Sequence, residues 1–139
     1  MAQRKRELER RERVERRAGR RCEYCRAPQP VSGVRYHLEH IIPESLGGTD
    51  DLDNVALACP MCNCYKSDHV LGIDDQGSDG GQLFHPRTDR WEEHFEFDSE
   101  TLKVRGKTKK GQGTVNRLRM NDALQIDARK HWIGLGLYP

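Results

Sequence analysis

Apolar residues are sparse in this chain, and their spacing changes character several times along it. From Gln3 to Ala18 only Leu8, Val14 and Ala18 are apolar, within a run of Arg and Glu that contains neither Gly nor Pro. Those residues favour helix, and Glu7 with Arg11, Glu9 with Arg13 and Glu12 with Arg16 stand four apart in the stabilising order. The stripe is thin, so the helix has little to bury and its first two turns are expected to fray. Gly19 reads as its stop.

From Val34 the period drops to two. Val34, Tyr36 and Leu38 alternate with Arg35, His37 and Glu39, the pattern of a half-buried strand that closes on Glu39 and His40. Pro43 and Gly47-Gly48 take the chain out of the sheet, and the apolar run from Leu52 to Ala58 predicts a second short strand. Pro60 suits a first helical position, so a helix is predicted from about Pro60 to His69. Residues 70 to 82 are rich in Asp and Gly without the spacing of a calcium loop, and read as a loop. His94 to Asp98 and Thr101 to Lys107 alternate around Asp98-Ser99-Glu100, which predicts a β-hairpin. Lys107 to Gly113 reads as a flexible basic loop. A helical pattern opens at Thr114, and a second, with Asn121 as its cap, runs through Leu124, Ile126 and Trp132 to Gly134.

Composition narrows the classes. At 139 residues, with a third of them charged, the chain has the length of one domain but the means for only a small core. Small cores commonly need a staple. Four of the five cysteines form two pairs, Cys22-Glu-Tyr-Cys25 and Cys59-Pro-Met-Cys62, separated by strand, loop and strand. Two such knuckles can close a tetrahedral four-thiolate site that suits zinc and leaves no open position, hence a structural metal. Cys64 is expected to be a small core residue. The arginine-rich start lacks the apolar segment of a signal peptide, and no run is long enough to span a membrane, so a cytoplasmic protein with reduced thiols is expected. The formal net charge of +2 hides an asymmetry: residues 1 to 21 hold ten Arg or Lys against four Glu. A basic arm of this kind is an electrostatic footprint for nucleic acid, with Arg10, Arg13, Arg17 and Arg21 as candidate DNA contacts.

The spaced set Glu39-His40, Gly47-Gly48, Asn54 and Cys59-Pro-Met-Cys62-Asn63, with Lys66 behind it, resembles the HNH endonuclease family over roughly Arg21 to Ser67. The resemblance implies an α+β chain with a ββα-metal, treble-clef-like core. It implies His40 as the general base, Asn54 as the brace of the intervening loop, and one divalent cation held by Glu39 and Asn63. Oxygen donors favour magnesium or manganese there. A neutral imidazole can take a proton from water near neutral pH, and the cation would stabilise the phosphate and the leaving oxygen. The family implies 5′-phosphate and 3′-hydroxyl products; with a short basic arm and no base-reading module, the expected substrate is double-stranded DNA, cut by nicking or double-strand cleavage with weak sequence preference, and monomer and dimer both stay open. Lys66 shares a helix face with Asn63 and His37 a strand side with Glu39, which makes both candidate phosphate contacts. The chain then divides into a basic arm (1–21), a nuclease core with zinc knuckles (22–69) and a hairpin-plus-helix extension (70–139). The extension resembles that of some small bacterial HNH proteins, and Arg87, Arg90 and Lys107 to Lys110 could add DNA contacts from it. The competing reading is a zinc-stapled nucleic-acid- or protein-binding module that keeps the scaffold without catalysis.

Overall fold

The computed structural model describes residues 1–139. Helix α1 spans Ala2–Arg17, and Val14 is its one buried side chain. Polar bonds make up for so thin an apolar stripe. Arg11 Nη1 donates to the Tyr36 carbonyl at 2.8 Å, and Arg17 donates to the carbonyls of Leu52 at 2.9 Å and Val55 at 2.6 Å. Helix packing is therefore directed onto the strand ends by guanidinium donors rather than by area. Gly19, at φ 65°, ends the run as its sequence position suggests.

Strands β1 (His37–His40) and β2 (Val55–Ala58) form an antiparallel pair, with Glu39 opposite Ala56 and His40 opposite Val55. The expected alternation from Val34 to Glu39 is only partly realised. Tyr36 is buried, but Val34 is 52% exposed and Glu39 is buried. The strand begins only at His37, so Val34 lies in the turn-rich approach to it, and Glu39 is buried because α1 packs on β2 while helix α2 (Pro60–Lys66) packs on both strands. All four residues of β2 are buried in consequence. Helix α2 is shorter than the expected Pro60–His69, because Ser67 leaves the helix at φ 47° before the chain turns into the next strand.

The remaining residues depart from the expected loops at two places. Residues 70 to 82 are not a loop but a hairpin, β3 (Leu71–Ile73) against β4 (Asp79–Gln82). Asp74 nucleates its turn by accepting from the backbone amides of Gln76 and Ser78, both at 2.9 Å. The short helix α3 (Trp91–His94) leads into the expected hairpin, β5 (Phe95–Asp98) and β6 (Lys103–Gly106). Lys107 to Gly113 is not a flexible loop: helix α4 (Lys109–Arg117) begins within it, capped by Thr108 Oγ1, which accepts from Gly111 N at 3.0 Å. A Cβ on Gly111 would stand 2.0 Å from the His94 carbonyl oxygen, so glycine here serves close packing. Helix α5 (Ala123–Gly134) is capped by Asp122 instead of Asn121. Asn121 has another task, since its amide pairs with both the N–H and the carbonyl of Val104 at 2.9 and 2.8 Å.

One apolar cluster unites these parts. Val14 of α1, the four paired cysteines, Leu57 of β2, and Phe84, Phe95, Val104 and Leu118 from residues 70–139 all belong to it. Phe84 and Phe95 meet edge to face with centroids 5.1 Å apart. No helix is long and apolar enough to cross a membrane.

Candidate nuclease site and metal centre

Cys22, Cys25, Cys59 and Cys62 are all buried, and their sulfur atoms lie within 4.8 Å of one another. The first pair sits on a tight turn in which Cys22 N donates to Ala27 O and Arg26 N to Cys22 O, each at 2.9 Å. The second pair sits on the first turn of α2, where Cys62 N donates to Cys59 Sγ at 3.4 Å and Pro60 occupies the first helical position. Cys25 Sγ and Cys59 Sγ are 3.7 Å apart. Hydrogen bonds from Cys22, Cys25 and Cys62 hold the Cys59 thiol well below its ordinary pKa. A buried, proton-sharing set of four sulfurs fits a tetrahedral thiolate site, and its chemistry suits zinc. Cys64 is not the core residue expected from the sequence. It is exposed, because its position on α2 faces away from the cluster.

No pattern in the chain marks how the first knuckle is held. Trp91 Nε1 donates to Tyr24 O at 2.8 Å, and the Tyr138 hydroxyl donates to Cys25 O at 3.0 Å. Arg26 stacks over Trp91 at 4.0 Å and pairs with Glu92 at 2.6 Å. Glu23 accepts from Leu57 N at 2.8 Å and also pairs with Arg87. Arg87 is thus a structural partner and not the free DNA contact expected. Lys107 and Lys110 are likewise engaged, with the Glu92 carbonyl at 2.8 Å and Asp89 at 3.0 Å.

A polar cleft of about 640 Å³ opens between the end of β1, the following loop and α2. Glu39, His40, Glu44, Asn63, Cys64 and Asp68 are among its walls. β1 delivers the first two of these residues and α2 delivers Asn63 one residue after the zinc-cluster cysteine Cys62, so the metal centre and the cleft share a frame. Asn54 secures the loop between them: its Oδ1 accepts from Ile42 N at 2.9 Å, and its Nδ2 donates to Ile42 O at 2.9 Å and Thr49 O at 2.8 Å. Gly48 lets that loop close, since a Cβ there would stand 1.7 Å from the Ile42 oxygen.

His40 Nε2 lies 2.6 Å from Asp50 Oδ1. An ionised carboxylate can only accept, so Nε2 carries a proton, and in the neutral ring Nδ1 keeps its lone pair. Asp50 is itself tethered, because Arg10 of α1 donates to its carbonyl. No sequence signal marks Asp50, which stands in a run with Asp51 and Asp53. His40, Glu44 and Asp50 also bring possible metal-ligating atoms within 4.8 Å, at an exposed rim.

Glu39 and Lys66 form the least expected feature. Lys66 Nζ lies 2.6 Å from Glu39 Oε1, with the two side chains only 1% and 6% exposed, and Nζ also donates to His40 O at 3.2 Å. Lys66 is therefore no phosphate contact: the short helix turns it inward, and it does not line the cleft. Burial raises the Glu39 pKa while the Lys66 ammonium works against that rise. Neither Glu39 oxygen has a well-directed hydrogen bond, although the carboxylate borders the cleft. Glu39 and Asn63 line the same cleft, and a carboxylate with an amide oxygen is a donor set that suits a hard cation.

His37 is exposed at the start of β1 and stands outside the cleft. Arg10 and Arg17 spend guanidinium donors on backbone carbonyls, Arg13 is exposed, and Arg21 lines a groove with Arg17, Arg26 and Trp91.

The structure is a mixed helix-and-strand domain in which a four-cysteine cluster that fits zinc adjoins a cleft lined by Glu39, His40 and Asn63. Residues 22–79 match the family model described as HNH endonuclease, and the chain carries an HNH domain over that segment. No curated protein and no solved structure matches the chain.

Proposed function

We infer that the protein is a metal-dependent endonuclease that hydrolyses DNA phosphodiester bonds at a ββα-metal site formed by β1, β2 and α2. The observation that carries this reading is the convergence of His40, Glu39 and Asn63 on one cleft, with Nε2 of His40 tied to Asp50. In this reading His40 Nδ1 takes the proton from the attacking water. Asp50 holds the ring in the tautomer that leaves Nδ1 free. Asn54 fixes the loop that carries Asp50 around the cleft. Glu39 and Asn63 would hold magnesium or manganese, which would supply charge stabilisation for the phosphate and the leaving oxygen. The zinc is structural, and fixing Cys62 on it fixes the helix that presents Asn63. The exposed arginines of α1 attract the polyanion, double-stranded DNA being the substrate that a basic arm beside an open cleft suits best.

The test is relaxation or linearisation of supercoiled plasmid by the purified full chain, with and without magnesium or manganese. Parent protein should cut only with the cation. His40→Ala should retain fold, zinc and DNA binding while cleavage falls by roughly two powers of ten or more. Equal cleavage by both, in preparations free of contaminating nuclease, refutes the assignment.

A further inference from the structure

Resting on the reading of Glu39 and Asn63 as cation ligands, we propose that the Lys66 ammonium is a built-in counter-ion of the catalytic carboxylate. It neutralises Glu39 when the cation is absent and is the charge against which the cation must bind.

Burial is the first argument. An ammonium 1% exposed is sustained only by a charge partner and satisfied donors, and the partners available are Glu39 Oε1 at 2.6 Å and His40 O at 3.2 Å. Both belong to the strand end that presents the base, so Lys66 ties the two halves of the dyad to α2, the helix that also carries Asn63. Direction is the second argument. Glu39 faces the polar cleft, whereas Lys66 borders a different cavity of about 370 Å³, with Ile41, Val70 and Phe84 in its walls. Lys66 thus stands in the partition between the two spaces, behind the carboxylate as seen from the cleft. A cation arriving through the cleft meets Glu39 from the front, and the second cavity, which also has Gln82 and Thr88 in its walls, leaves the lysine room to draw back. The third argument is the carboxylate's hold: Lys66 is the cation paired with Glu39, with the Tyr24 hydroxyl close by, so that ion pair is what a cation arriving through the cleft would exchange for. A lysine serving substrate would instead line the cleft.

The charge arithmetic gives a sign. Paired with Lys66, Glu39 offers an incoming dication a neutral site. Without the ammonium it offers a buried negative charge, and charges a few ångströms apart interact strongly even at an effective dielectric constant of about 20.

Lys66→Met keeps the apolar stem and removes the charge. Manganese binding to zinc-loaded, full-length protein is measured at pH 8 by calorimetry and electron paramagnetic resonance, beside thermal melts with and without manganese. The expected result is a lower melting temperature without manganese, an affinity for manganese at least about tenfold tighter than the parent's, and a larger manganese-induced rise in melting temperature. Unchanged or weaker affinity overturns the counter-ion, because a purely structural lysine cannot improve cation binding when removed. If Lys66→Met fails to fold, a magnesium titration of the parent decides. The Lys66 side-chain ¹⁵N resonance should move with the same midpoint as the Glu39 carboxyl ¹³C resonance, and a static lysine resonance overturns the proposal. Glu39→Gln separates this proposal from the reading beneath it. Manganese binding unaffected by Glu39→Gln refutes the cation site itself, whereas Glu39-dependent binding that Lys66→Met does not tighten refutes only the counter-ion.

Discussion

Replacing Asn54 tests how the cleft is held open in its working shape. The side chain is buried and makes three hydrogen bonds, to Ile42 N, Ile42 O and Thr49 O. At about 0.5 to 1.5 kcal/mol net for each, Asn54→Ala should cost about 1.5 to 4.5 kcal/mol if the loop stays closed with its backbone groups orphaned. The loop is at the surface, so it has an alternative: it can open and let water satisfy Ile42 and Thr49, which caps the loss in global stability nearer 2 kcal/mol. Opening has its own signature, because Asp50 follows Thr49 directly and holds His40 Nε2. Denaturant unfolding should report the first quantity, and hydrogen exchange at the Ile42 amide the second. Protection at Ile42 should fall about tenfold or more while β2 amides fall only with global stability. Asn54→Asp, the same size, should be no milder, since its carboxylate faces two carbonyls it cannot donate to. If Asn54→Ala is within about 0.5 kcal/mol of the parent and Ile42 remains protected, the brace has no energetic content and the reasoning fails.

Two further outcomes are expected. Metal analysis should find about one zinc per chain, and Cys25→Ser or Cys59→Ser should broaden or abolish cooperative unfolding; fully folded zinc-free protein refutes the centre. DNA affinity should fall steeply with salt, and Arg13→Ala with Arg16→Ala should flatten the slope of log affinity against log salt by about one to two, with an unchanged slope marking α1 as a solvated face.

Legibility followed the kind of signal each residue carries. The cysteine pairs could be read because thiols at that spacing have few other uses, and the β5–β6 hairpin because strict alternation flanks a turn. Lys66 could not be read as buried, since a lysine is nearly always solvated and its partner lies 27 residues earlier in sequence, across the fold. Glycine misled twice. In residues 70–82 and 107–113 it suggested mobility, whereas a hairpin and a capped helix form there because glycine lets backbones meet. Asp50 carries no pattern at all: its place beside His40 comes from how the loop closes around Asn54, a tertiary fact.

The anchoring of the first knuckle by Trp91 and Tyr138 bears on modularity. The segment that matches the family ends at residue 79, yet the carbonyls of Tyr24 and Cys25, the Glu23 carboxylate and the Arg26 guanidinium all find partners beyond it. A gene fusion or a design that transplanted only residues 22–79 would carry off every sulfur ligand and the whole polar cleft, but leave behind the clamp on one side of the metal cluster. The portable unit of this HNH-type domain is larger than its recognisable signature, and recombination within residues 80–138 should be as damaging as recombination within the motif itself.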